Sequence, residues 1–173
     1  MNRGHLLAQG ILSSRDLLER FFANFDDSNR TRQAPHLPNH FAWTLGHLAM
    51  IQNRMAERLD KQPLPADQFI EGAPRGDASR FSVESVAFKS EPVDDPSAYP
   101  TFDRCLTIWR ASIDRIARAY ENADDATLDT MTPWGQNQIP IWAMAQRMAF
   151  HNGTHAGQLA DLRRALGFPR VLG

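Results

Sequence analysis

Residues 140–167 read P-I-W-A-M-A-Q-R-M-A-F-H-N-G-T-H-A-G-Q-L-A-D-L-R-R-A-L-G. Ile141, Ala145, Met148, His151, His155, Leu159, Leu162 and Leu166 recur in steps of three and four, which keeps them on one face of an α-helix. Pro140 suits the first turn of such a helix. Leu166-Gly167-Phe168-Pro169 closes it, because glycine accepts the left-handed conformation past the last turn and proline forbids continuation. The stripe is apolar except at its middle, where two histidines occupy positions a core would give to aliphatic side chains.

Three further seams of the same kind precede it. They are Leu7, Ile11, Ser14, Leu18, Phe21 and Phe25; then Phe41, Leu45, Leu48, Ile51, Met55 and Leu59; then Phe102, Leu106, Trp109, Ile113, Ile116 and Tyr120. The spacing predicts helices near 3–25, 39–60, 98–122 and 140–166. Asn39 after Pro38 is the expected N-cap of the second, and Asp95-Pro96-Ser97 or Pro100-Thr101 the opening of the third. No stretch alternates with the period of two that a half-buried strand requires. Val83–Phe88 comes nearest, and it is short and isolated. The fold class that follows is all-α, a four-helix bundle in one domain over 1–173.

The connections 26–38 and 123–139 are short enough to join antiparallel neighbours. The 61–97 connection is longer than compact domains ordinarily use and carries Pro63, Pro65, Gly72, Pro74, Gly76, Pro92 and Pro96. A helix of about 25 residues spans roughly 38 Å, which this connection can cross, so the second and third helices can run parallel in an up-down-down-up order.

Composition narrows the function. The chain has 173 residues, 42% hydrophobic and 23% charged, with 19 Lys+Arg against 20 Asp+Glu and a formal charge of −1. A nucleic-acid binder would carry a basic stripe for phosphate neutralisation, and the longest basic run is the pair Arg163-Arg164, so no nucleic-acid partner is expected. Asp161 with either arginine reads as a solvated ion-pair face. No stretch approaches the roughly 20 apolar residues of a membrane helix, and the apolar run Leu6-Leu7-Ala8 is broken by Gln9 and Gly10. The lone Cys105 forbids an internal disulfide, fits a reducing compartment and flanks the third seam as a core residue. A cytoplasmic protein without membrane partners is expected.

The chemistry lies in the histidines. His151 and His155, four residues apart on one helix face, can bring two imidazoles to one metal ion. They lie about 16 and 22 Å from the start of their helix. In an antiparallel neighbour, His47 lies at the same depth, about 20 Å from the far end of the second helix, and shares a face with Trp43 and Ile51. His40 sits about 10 Å further along, near the pocket mouth, and His5 and His36 fall at an end and in a loop. Three neutral imidazoles leave a coordination position free, as catalytic sites do, and suit zinc, nickel or ferrous iron. The same side chains without metal would be hydrogen-bonded core histidines, and that reading stays open. Trp43, Trp134 and Phe150 are expected at the wall of a pocket between the second and fourth helices. Gln158 is expected either to accept a hydrogen bond from a ligand histidine or to lie at a helix interface. Gly153 and Gly157, unfavourable inside a helix, point to a close approach by a neighbouring element.

The stretches N-H-F-A-W-T-L-G-H-L-A (39–49) and H-N-G-T-H-A-G-Q-L-A-D-L-R-R-A-L-G (151–167) resemble the DinB-like (YfiT-like) superfamily, and the likeness extends over most of the chain, Pro133-Trp134-Gly135 included. The resemblance implies a four-helix bundle of the same order and a divalent metal, often zinc or nickel, on three histidines that map onto His47, His151 and His155. Some members are thiol S-transferases or thiol-dependent isomerases that use bacillithiol, mycothiol or glutathione. Others have no assigned reaction, and the DNA-damage association in the name describes induction. The resemblance therefore implies a small-molecule substrate with a low-molecular-weight thiol, a stress-response setting and a homodimer. A metal-dependent hydrolase and a non-catalytic metal- or ligand-binding bundle remain as alternatives.

Overall fold

The computed structural model describes residues 2–171. The chain is mostly helical. Four long helices, α1 (Arg3–Glu19), α2 (Phe41–Asp60), α4 (Phe102–Glu121) and α6 (Ile141–Ala165), stand where the four seams lie. Between them come strands β1 (Phe69–Ile70) and β2 (Phe81–Ser82), the single-turn α3 (Val83–Val86), the short α5 (Asp125–Asp129), and strands β3 (Met131–Trp134) and β4 (Asn137–Pro140).

Each long helix buries its seam against two others. α2 packs on α4 and α6, and α1 packs on the same pair. Phe41 stacks on Phe102 where α2 and α4 begin, and Asp60 receives Arg115 towards their ends. Between α1 and α4 the pairs run the other way, Arg15 to Asp114 and Glu19 to Arg110. Trp109, Ile113, Ile116 and Tyr120 on α4 join Leu45 and Leu48 on α2 in one continuous apolar core. Residues 41–50 of α2 are all buried, because α4, α6 and the connection from α2 to α4 all pack against α2.

Several expected details differ. α1 ends at Glu19 and tightens into a 3₁₀ turn, Arg20–Phe22, rather than reaching residue 25. The chain then reverses through Asn24, at a φ of 68°, and tucks Phe25 beneath Phe41. The N-cap of α2 is His40, not Asn39: its Nδ1 accepts the Trp43 amide at 3.1 Å. Asp95-Pro96 opens only a 3₁₀ turn, Pro96–Ala98. α4 begins after Thr101, and its first amide is received by Asp27 from the α1–α2 connection. Val83–Val86 is helical, capped by Ser82. The predicted left-handed stop of α6 is a Schellman turn: Gly167, at a φ of 77°, and Phe168 donate to the carbonyls of Arg164 and Arg163.

The 123–139 connection contains a β-hairpin rather than a plain loop. β3 and β4 pair antiparallel, with Trp134 opposite Asn137. Gly135 supplies the positive φ, 60°, that a two-residue turn needs at its first position. Arg58 of α2 donates to Thr132 and to the Pro133 carbonyl, which ties the hairpin to the end of that helix. Arg164 pairs with Asp161 on the surface as expected, but Arg163 is buried. Its guanidinium caps carbonyls of Phe21, Ala23 and Pro169, so it staples the end of α1 to the end of α6.

Candidate metal centre

Three histidines converge between α2 and α6. One nitrogen from each of His47, His151 and His155 lies within 4.8 Å of the others. Ring centroids are 5.2 Å apart for His47–His151, 5.3 Å for His47–His155 and 4.6 Å for His151–His155. His47 and His155 are buried and His151 is half-buried. The depth at which the sequence placed His47 thus brings it level with the α6 pair.

Burial keeps these rings neutral. Loss of water lowers His47, and lowers His151 to about 4 and His155 to about 3, with the neighbouring imidazoles adding to the last two. A neutral imidazole has one N–H and one lone pair. His47 Nδ1 donates to the Val86 carbonyl at 2.8 Å, so its Nε2 carries the lone pair. His151 Nε2 and His155 Nε2 stand 3.2 Å apart. Two nitrogens bound to one tetrahedral ion at 2.0–2.1 Å are separated by about 3.3 Å, so this spacing is that of two ligands on a single zinc-like centre. His155 Nδ1 is buried without a hydrogen-bond partner among the described residues, which leaves its second nitrogen uncommitted. The donor set fits a divalent transition metal.

The other residues singled out from sequence fall in different places. Trp43 is buried beside the triad, its indole parallel to the His47 ring at 4.7 Å and 7°. Gln158 accepts from Asn39 at 3.1 Å, which bridges α6 to the entry of α2. Its amide stands next to His155 and favours the charged ring, without completing a bond to Nδ1. Trp134 lies in the hairpin beneath the Arg147 guanidinium, 5.3 Å from the ring centre, and makes no ring contact with the histidines. Phe150, next to His151 on α6, is 78% exposed. A hollow of about 420 Å³ lies elsewhere, between Phe21, Arg163 and Phe168. Gly153 and Gly157 are exposed, and among the described residues a Cβ at either would meet nothing within 4 Å, so no described element approaches them.

Two features of the site were missed from sequence. His40 is fully buried and bonded through both nitrogens, to the Trp43 amide and the Val93 carbonyl, instead of lying at a pocket mouth. Gly46, on α2 beside His47, has the close approach that bears on the site: a Cβ there would stand 2.6 Å from the Phe81 ring and 2.8 Å from Val86. Only glycine lets β2 and α3 come near enough for the Val86 carbonyl to reach His47. The glycine was visible in the sequence, but its neighbours lie in a connection whose path local spacing does not predict.

Comparison with known proteins gives the same outline. No curated protein matches the chain. Among solved structures it is similar to "the conserved protein of locus from Enterococcus faecalis", at a TM-score of 0.74 and 14% identity, over 96% of this chain and 99% of that one. That likeness is one of fold. By sequence, residues 11–159 match the DinB superfamily, a span that contains α2, the connection from α2 to α4 and all three histidines. The chain belongs to the DinB superfamily.

Proposed function

We propose that this protein is a metal-dependent enzyme acting on a small-molecule substrate, of the thiol S-transferase kind, with a low-molecular-weight thiol as the second reactant. The observation that carries the reading is the convergence of three neutral imidazole nitrogens within 4.8 Å. Zinc or nickel suits three nitrogen donors best, and ferrous iron is compatible with them. When bound, a divalent ion with three protein ligands supplies Lewis acidity at a further coordination position.

The chain's own residues set the conditions for that chemistry. His47, His151 and His155 contribute no charge, so nothing in the ligand set offsets the attraction of the site for an anionic thiolate. The Val86 carbonyl holds the proton of His47 on Nδ1 and keeps Nε2 bare. Trp43 covers one face of the His47 ring and excludes water there. His151, the half-buried member, is the side from which a substrate reaches the triad. The same reading takes the four long helices as an up-down-down-up bundle. It is supported by the Phe41–Phe102 and Asp60–Arg115 pairs at matching ends of α2 and α4, and by the reversed pairing of α1 with α4.

The test is elemental analysis of untagged protein purified without chelators or a metal-affinity column. Close to one zinc, nickel or iron per chain, lost in His47→Ala, is the expected result. A count near zero after incubation with each metal and removal of the excess overturns the reading. If metal is present, a thiol titrated into the cobalt-substituted protein should change its visible spectrum, and turnover of thiol with an electrophile then separates an enzyme from a binding protein.

A further inference from the structure

The segment Val86–Val93 of the crossover runs antiparallel along α2, and the side chains of the N-cap His40 and of Trp43 and His47 on α2 donate to it in one register. His47 Nδ1 donates to the Val86 carbonyl at 2.8 Å, Trp43 Nε1 to Ser90 Oγ at 2.8 Å, and His40 Nε2 to the Val93 carbonyl at 3.2 Å. Each step of three or four residues along α2 is matched by an equal step back along the segment. Positions 40, 43 and 47 share one helix face, so this face is committed to the crossover while its neighbour carries the core.

The middle rung is itself fixed. The Ser90 hydroxyl has the Ala87 carbonyl at 2.8 Å and the Ser85 carbonyl at 3.0 Å as acceptors for its own proton, which leaves its lone pairs for the indole. The outer rung is braced by the Tyr99 hydroxyl, which receives the Val93 amide at 3.2 Å. The anchored indole lies flat on the imidazole of His47. A free imidazole exchanges its two tautomers and turns about its Cβ–Cγ bond. Here the carbonyl accepts only from a protonated Nδ1, and the clamped indole closes off rotation.

We propose that Ser90 and Trp43 are positioning residues for His47: the seated Val86–Val93 segment holds this ring in the Nδ1–H tautomer and at the angle that the triad needs. Seating of the segment and loading of the site are then one linked equilibrium. The inference rests on the metal reading of the triad for its second half only. Linkage is reciprocal, so whatever the seated segment adds to metal affinity, metal adds to the stability of the segment.

Ser90→Ala removes the acceptor of the indole and Trp43→Phe removes the donor while keeping an aromatic ring on His47. In the unaltered, metal-free protein, imidazole nitrogen NMR should show His47 as a single Nδ1–H tautomer, and zinc should slow amide exchange across residues 86–93. In either variant the tautomers should mix and zinc should bind about 10-fold more weakly, the lower end of what second-sphere changes bring. A merely structural role would lower the melting temperature without moving the tautomer. Mixed tautomers in the unaltered protein overturn the proposal, and so does an unchanged tautomer with unchanged zinc affinity in both variants. If the unaltered protein binds no zinc, yet holds one tautomer that both variants lose, the metal reading fails and the positioning by the segment stands.

Discussion

His40 has the sharpest consequence at the scale of single residues. It is fully buried and neutral, with its ordinary value of 6.5 lowered to about 4. Burial is the main cause and the Arg30 charge adds to it, while the Val93 carbonyl and Asp94 oppose them. Once unfolded, the ring regains its ordinary affinity for protons. Between about pH 6.5 and 4 the unfolded chain therefore binds a proton that the folded chain refuses, and stability falls as the pH falls through that window. Above pH 6.5 the contribution is fully present. The slope is up to about 1.4 kcal/mol per pH unit for each such histidine. His151 and His155, lowered in the same direction, add to it in the metal-free protein. Denaturant unfolding from pH 8 to pH 4 should show this slope, reduced by close to one proton in His40→Asn, which keeps an oxygen to cap α2. An unchanged slope in the variant would mean that His40 is not the neutral buried group described.

At the scale of elements, the glycines in and just beyond α6 divide into two kinds. Gly167 holds the left-handed position of the Schellman turn, and alanine there should cost about 1 kcal/mol. Gly153 and Gly157 sit in ordinary helix with open space around them, so alanine at either should stabilise the protein by about 0.5–1 kcal/mol. Thermal melts of the three variants decide the point. Loss of stability in Gly153→Ala or Gly157→Ala would reveal that a second molecule covers this face. The stop at Gly167 was legible from sequence because a helix end is a local matter of φ preference and missing donors. The hairpin of β3 and β4 was not. Its strands are held by a two-residue turn and by Arg58, and their side chains alternate too briefly to outweigh the helical seams on either side.

Across the whole molecule, one chain of hydrogen bonds crosses the core and takes a residue from each long helix. Ser112 of α4 donates to Gln52 of α2 at 2.7 Å, Gln52 to Asn152 of α6 at 3.2 Å, and Asn152 to Ser14 of α1 at 2.8 Å. The serine ends the chain on the Ile11 carbonyl at 2.6 Å. Gln52 and Asn152 are each 1% exposed, so removing one strands the other. Gln52→Leu and Asn152→Leu should each destabilise the protein by about 1–3 kcal/mol, and the double variant by clearly less than their sum. Additive losses in a denaturation cycle would show that the two amides are not coupled. Asn152 follows His151 directly, so the same chain holds the α6 backbone next to the triad.

The sequence by itself determined the helices, because steps of three and four and their local stops are properties of a few neighbouring residues. It also determined which three histidines meet, since an i, i+4 pair on a buried stripe has a fixed depth and only His47 matches it on the facing helix. The tertiary structure alone decided what surrounds them. The bond from His47 to Val86, the rung from Trp43 to Ser90 and the burial of His40 all depend on where the 61–101 connection lies. That path is set by long-range packing, through the close approach at Gly46 and the buried anchors Phe81 and Tyr99, and no local periodicity encodes it.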